Sequence, residues 1–249
     1  MMKPLKTATR YLLDLIFPKR CVSCGAHISF ENDFLCRSCR NHLNSEISEG
    51  CLGCGKPYNK CRCKPSFLCD NTLITTMPYK IENSVCRDLI IACKRIRNRD
   101  ILNELAENMA NALRENGITE NYALTFAPRS PRAVRKCGFD QAEELARLIS
   151  KKMSLPFFST IICNDTSSEQ KFLKNRMRRD NALKRFQVRK NKTSLINSSS
   201  FILVDDVVTS GATLNRCVEI LYENGASEVV CLGAARTVTD GRALQIIKK

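Results

Sequence analysis

A chain of 249 residues, 43% of them hydrophobic, has the length and apolar content for one α/β domain with its own core plus a smaller module. Its 40 Lys and Arg against 25 Asp and Glu leave a net charge of +15, which draws polyanions such as nucleic acid or anionic lipid. No apolar run approaches the roughly 20 residues that cross a bilayer, which excludes a helical membrane span.

At the N-terminus Lys3, Lys6 and Arg10 precede an apolar run at 11–17. Asp14 interrupts that run and Pro18 ends it, so it reads as an amphipathic helix rather than an export signal. A cytoplasmic protein is expected.

Fifteen cysteines follow, eight of them between positions 21 and 63 in paired knuckles. They are Cys21 and Cys24, Cys36 and Cys39, Cys51 and Cys54, and Cys61 and Cys63. In a chain without an export signal this spacing points to metal rather than disulfides. Tetrahedral zinc takes four thiolates, and a two-residue gap lets one loop present two of them, so eight thiolates fit two structural zinc ions. Sequential grouping is the simplest, and a crossed one stays open. Four thiolates per metal leave no position for water, so the sites are read as structural. The two histidines, His27 and His42, are read as bystanders. So few large apolar side chains occur here that metal must supply the stability, and chelation should unfold the module. The other cysteines, Cys69, Cys86, Cys93, Cys137, Cys163, Cys217 and Cys231, read mostly as core filler.

The stretch 68–79 is β-prone, and Met77-Pro78-Tyr79 reads as a turn into helix. Val85, Leu89, Ile90, Cys93 and Ile96, then Ile101, Leu102, Leu105, Met109 and Leu113, recur at helical spacing, predicting two helices broken near 97–100. Lys94, Arg95, Arg97 and Arg99 at the break read as a solvated face or a phosphate-facing edge, the former being favoured. Residues 122–127 read as the first strand of the α/β core, and 129–138 as a basic loop carrying Arg129, Arg132, Arg135 and Lys136. A helix is expected over 139–153 and a second strand over 157–163. The segment 164–192 lacks an apolar period and is dense in Lys and Arg, as in a lid or binding loop.

Residues 201–204 (FILV) read as a buried parallel strand that delivers Asp205 and Asp206 to the carboxyl edge of the sheet. Thr209, Ser210, Gly211, Ala212 and Thr213 then make a small, hydroxyl-rich turn into a helix over 212–224, where backbone N–H groups and the helix dipole favour an anion. Paired carboxylates beside an anion cradle suit a ligand with a diol at one end and a phosphate at the other, as in ribose 5-phosphate. A further strand is expected at 229–234. Strands alternating with helices predict a parallel sheet.

The 201–214 run resembles the phosphoribosyl-diphosphate (PRPP) loop of type I phosphoribosyltransferases. Together with the knuckles, GFDQA at 138–142, Gln170 with Leu173, and RMRRDN at 176–181, it resembles the ComF family over about residues 15–237. That resemblance implies a double zinc ribbon at 1–66 and a type I phosphoribosyltransferase-like α/β domain at 67–249, in a protein of DNA uptake. It implies ribose contacts from Asp205 and Asp206 as the catalytic acids, and 5-phosphate binding by residues 209–213. Arg132, Arg135 and Lys136 would meet diphosphate, with Mg²⁺ accompanying PRPP. Single-stranded DNA would lie on Lys174, Arg176, Arg178 and Arg179, and the zinc module would dock a competence helicase. Where the family shows Arg-Gly-Phe-Asn-Gln, this chain has Cys137-Gly138-Phe139-Asp140-Gln141, losing a cation and gaining an acid. Both an active transferase and a DNA-handling protein that keeps the pocket fit these residues.

Overall fold

The computed structural model describes residues 18–28, 34–65, 67–68, 72–80, 82–96, 98–164 and 185–238. In chain order the elements are α1 (Arg37–Ser48), β1 (Leu73–Tyr79), α2 (Val85–Ile96), α3 (Arg99–Glu115), β2 (Tyr122–Phe126), α4 (Pro131–Cys137) and α5 (Gln141–Met153). There follow β3 (Ile161–Cys163), β4 (Phe186–Val188), α6 (Thr193–Ile196), β5 (Ser200–Val208), α7 (Ala212–Glu223) and β6 (Glu228–Thr237).

Four strands form a fully parallel sheet in the order β1-β6-β5-β2. Ile202, Val204, Leu124 and Phe126 share one buried cluster with α2, α3 and α5. Phe201, Leu203, Ala123 and Val229 share the other with α7 and the β3–β4 ribbon. Both faces are therefore covered, which is why 201–204 is an unbroken apolar run rather than an alternating one. The predicted helical positions Val85, Leu89, Ile90 and Cys93, and Ile101 to Leu113 at their spacing, are all buried. Asn98 caps α3 by accepting the N–H groups of Asp100 and Ile101, which places the break where it was expected.

Several boundaries differ from expectation. The strand before α2 runs through Pro78 to Tyr79 instead of turning there, because β1 lies at the sheet edge, where a missing N–H is tolerated. It, not β2, opens the sheet. The basic stretch after β2 is a short helix, α4, with Pro131 in its first turn, the Ser130 hydroxyl accepting from Ala133 N–H, and Gly138 left-handed at φ 81°. The next helix therefore begins at Gln141 rather than 139. The expected strand at 157–163 is split: Phe157 bridges Leu124 at the sheet edge, while β3 turns away to pair antiparallel with β4. Phe186 and Val188 pair with Cys163 and Ile161, a match too short to show as a period in sequence.

The cysteine module is not free-standing. Phe34, Leu35 and Leu43 are buried in the same cluster as α2, α3 and the sheet. Glu46 of α1 is 1% exposed and accepts the Cys86 N–H at 2.9 Å at the start of α2, where the helix dipole favours a carboxylate. Arg40 reaches Glu104 of α3, and the Ser23 hydroxyl donates to Asp88 at 2.7 Å.

Candidate phosphoribosyl site

The chain leaves β5 through α7 to β6 on one side, and leaves β2 through α4 and α5 to Phe157 on the other. The crevice between the carboxyl ends of β2 and β5 is thus the switch point at which open α/β sheets bind ligands. Arg129 emerges on one wall and residues 205–213 on the other.

β5 continues past the apolar run, pairing Asp205 with Gly233 and Val208 with Arg236, so the acids lie within the strand instead of beyond its end. The two β-branched residues Val207 and Val208 keep the ladder going. Alternation along the strand separates the acids. Asp206 follows Ile202 and Val204 toward α2, where its Oδ2 accepts from Arg129 Nη2 at 2.9 Å and from Lys94 Nζ at 3.2 Å. Asp205 faces the side of Cys217 and Cys231. Its Oδ1 accepts the Asp206 N–H at 2.8 Å. Burial, reinforced by the charge of Asp206, pushes the Asp205 carboxyl well above the usual carboxylate range. Burial opposes ionisation of Asp206 too, but Lys94 and Arg129 outweigh it and hold that carboxyl below the usual range. One acid is poised to share a proton and the other to stay charged.

Beyond Val208, Thr209, Ser210, Ala212 and Thr213 are exposed and Gly211 is buried with φ 80°. Gly211 caps α7, and the first helical bond runs from Asn215 N–H to Gly211 O at 2.8 Å. The chain after the second cysteine group lies against this turn: Phe67 N–H donates to Ser210 O at 3.2 Å. A Cβ at position 211 would stand 3.0 Å from Pro65 Cγ and 3.1 Å from Leu68 Cβ. Gly211→Ala is therefore expected to cost about 1–2 kcal/mol for the left-handed backbone, and more for displacing Pro65 and Leu68. Thermal unfolding checks this; an unchanged Tm would mean the two segments do not touch.

On the opposite wall Arg132, Arg135 and Lys136 are all exposed on α4. Asp140 is buried and fully engaged: Oδ1 accepts the Ala142 and Glu143 N–H groups, capping α5, and Oδ2 accepts the Arg129 N–H at 2.7 Å. The acid that seemed to oppose diphosphate is thus turned onto the backbone, and it fixes the residue whose side chain reaches Asp206.

The eight knuckle cysteines converge in two sequential groups, Cys21/Cys24/Cys36/Cys39 and Cys51/Cys54/Cys61/Cys63, with the Sγ atoms of each group within 4.8 Å of one another. The two CxxCG turns repeat one geometry: Gly25 N–H donates to Cys21 O and Gly55 N–H to Cys51 O, each glycine having a positive φ. Cys36 caps α1, so the first group is completed by a helix start; the second is completed by the tight Cys61-x-Cys63 turn. Four sulfurs at this separation fit a closed tetrahedral zinc site, and neither histidine belongs to a group. Arg236 at the end of β6 backs the second group, its guanidinium 2.6 Å from Cys51 Sγ and 3.2 Å from Cys61 Sγ, with Nη1 donating to Cys63 O at 2.7 Å.

Residues 12–73 match the Double zinc ribbon domain family, and residues 133–243 match the Phosphoribosyl transferase domain family. DNA utilization protein YhgH of Escherichia coli O157:H7 is 25% identical over 90% of this chain and 100% of its own length. Competence protein F of Haemophilus influenzae is 26% identical over 88% of this chain and 98% of its own. The chain thus joins a double zinc ribbon to a phosphoribosyltransferase domain and is similar over most of its length to proteins named for DNA utilization and competence. A solved structure of the allosteric regulatory enzyme of purine biosynthesis is similar at 18% identity and a TM-score of 0.39, over 54% of this chain and 26% of that one.

The fold brings Asp206 and the start of the 209–213 turn to one edge, and places Arg132, Arg135 and Lys136 on the helix that follows β2. Lys174, Arg176, Arg178 and Arg179 lie outside the described residues, as do Cys69, Gln170 and Leu173. The ends of their segment meet, with Asn164 N–H donating to Arg185 O at 2.8 Å. Sequence reasoning did not pair either cation with Asp206. Lys94 reads there as part of a solvated face or a phosphate-facing edge, and Arg129 as one cation of the basic loop, with the diphosphate contacts given to its three neighbours on α4. The signal for Arg129 was its place immediately after Pro128 at the carboxyl end of a strand, the position that faces the crevice.

Proposed function

We propose that the chain is a ComF protein of DNA uptake that holds a phosphoribosyl ligand of the PRPP type in the β2/β5 crevice and binds single-stranded DNA. The observation that carries this is the charged Asp206, clamped by Lys94 and Arg129, beside an exposed hydroxyl turn at a helix start. Asp205 and Asp206 are assigned to the ribose hydroxyls and the backbone of Thr209, Ser210, Gly211, Ala212 and Thr213 to the 5-phosphate. Arg129 and Lys94 join Arg132, Arg135 and Lys136 as the cations available to diphosphate. Mg²⁺ would be held chiefly by the ligand's own phosphate and ribose oxygens, supplying charge neutralisation. The eight cysteines hold two structural zinc ions. The net charge of +15 and the DNA utilization and competence names of the relatives support a DNA role. The experiment is a salt titration: single-strand affinity should fall with a log-log slope of about −0.7 per neutralised phosphate, and charge reversal at Arg176, Arg178 and Arg179 should flatten it. Affinity indifferent to salt contradicts the DNA assignment.

A second reading, active phosphoribosyl transfer to an unidentified acceptor, is favoured by Asp140. Its charge is spent on three backbone N–H groups, so it does not repel a leaving diphosphate. The protein's part in such a transfer is positioning and charge stabilisation, with no side-chain nucleophile.

A further inference from the structure

Phe67 is 62% exposed although both of its described flanks are anchored. Pro65 and Leu68 pack on Gly211, Leu68 is 5% exposed in the core, and Cys63 is tied by Arg236. The Phe67 N–H itself donates to Ser210 O, inside the hydroxyl turn. Two other large hydrophobic residues are comparably exposed among the described residues, and neither resembles it. Leu52 sits at the tip of a cysteine knuckle, and the Tyr222 hydroxyl accepts the Val229 N–H. The fold thus holds an open aromatic face at the rim of the anion turn, on a segment braced from two sides.

Every phosphate in a nucleotide or a nucleic-acid strand is one sugar away from a base, and aromatic side chains beside phosphate-binding surfaces capture bases by stacking without regard to sequence. We propose that Phe67 is the base-stacking contact of this site, so that the ligand recognised is a nucleoside 5′-phosphate, free or at the end of a single strand, in preference to a bare sugar phosphate. This rests on the phosphoribosyl reading of the 209–213 turn. The segment that follows the second cysteine group would then supply the base side of the site and the 209–213 turn the phosphate side.

The chain contains no tryptophan, so Phe67→Trp places a sole indole at the site. Wild type, Phe67→Trp and Phe67→Ala are titrated with ribose 5-phosphate, adenosine 5′-monophosphate and a short 5′-phosphorylated oligodeoxythymidine. Saturable quenching of Phe67→Trp fluorescence by the base-bearing ligands is expected, with ribose 5-phosphate leaving it unchanged. Phe67→Ala is expected to bind ribose 5-phosphate as wild type does and base-bearing ligands roughly ten-fold more weakly. Quenching by both base-bearing ligands indicates a free nucleotide, and quenching by the oligonucleotide alone a strand end. An unchanged ratio of nucleotide to ribose 5-phosphate affinity in Phe67→Ala overturns the stacking role while leaving the phosphoribosyl reading intact. A wild type that binds none of the three overturns both.

Discussion

Disrupting the second cysteine group should weaken ribose 5-phosphate binding, although no cysteine belongs to the crevice. The variant Cys51→Ser with Cys54→Ser removes two of four sulfurs from a group that anchors the segment leading to Pro65, Phe67 and Leu68. That segment packs on Gly211 and bonds Ser210. Arg236 forms the second route, since it touches Cys51 and Cys61 while pairing in register with Val208, one residue before the turn. A structural zinc site is worth roughly 10–16 kcal/mol of apparent binding free energy, more than a typical domain's whole margin of stability. Chelation is therefore expected to lower the Tm of the entire chain, because Cys21 and Cys39 lie in the same buried cluster as the sheet. The two groups should differ. Cys21→Ser with Cys24→Ser should loosen α1 from α2 and α3 but leave the turn's brace in place, whereas the second-group variant should lose ligand affinity at temperatures where the fold persists. Calorimetric titration with ribose 5-phosphate separates them; equal affinity in wild type and the second-group variant would refute the brace.

Asp206→Asn is expected to have the next largest effect. The amide keeps the shape but leaves Lys94 and Arg129 facing each other without a counterion. Removing one partner from a buried charge cluster costs about 3–5 kcal/mol, and with Lys94 32% exposed about 2 kcal/mol is expected here. The pH dependence carries a sign. The Asp206 carboxyl is held below its usual range, so its stabilising contribution is present above the unfolded-state value and lost as pH falls through the lower folded one. Wild type should lose stability on acidification through that window more steeply than Asp206→Asn. Asp205 works oppositely: its raised carboxyl is destabilising when ionised, and protonation relieves the cost. Urea denaturation at a series of pH values reads both, and parallel curves for the two proteins would contradict the ion-pair assignment. Ligand affinity should fall in the same variant, because the carboxylate proposed to meet the ribose is gone.

The architecture was legible where one physical rule acted alone. Cysteine spacing pointed to two four-thiolate groups, because a two-residue gap lets one turn present two thiolates to a metal; the sequential pairing, the simplest of those open, is the one the fold brings together. Apolar runs and helical periods located β5, α2, α3 and α7 because both faces of the sheet are covered. Pro78 misled because a local turn signal was outweighed by a place at the sheet edge, where its missing N–H is tolerated. The acids were legible as a pair but not as two faces, because that depends on the strand continuing through Val207 and Val208. Lys94 lies over a hundred positions before its partner Asp206, a proximity set only by how α2 crosses the sheet. The contact of Gly211 with Pro65 and Leu68 was equally hidden: glycine announced a positive φ, while the neighbours that crowd a Cβ come from a segment over 140 positions earlier in the chain.

The central claim is that the β2/β5 crevice holds a phosphoribosyl group with its phosphate on the 209–213 turn. Soaking crystals with PRPP and Mg²⁺ tests it most directly. Density for the 5-phosphate against the backbone N–H groups around Gly211, with the ribose toward Asp205 and Asp206, is the expected result. Density on another surface, or a crevice that stays empty at saturating PRPP, would contradict it.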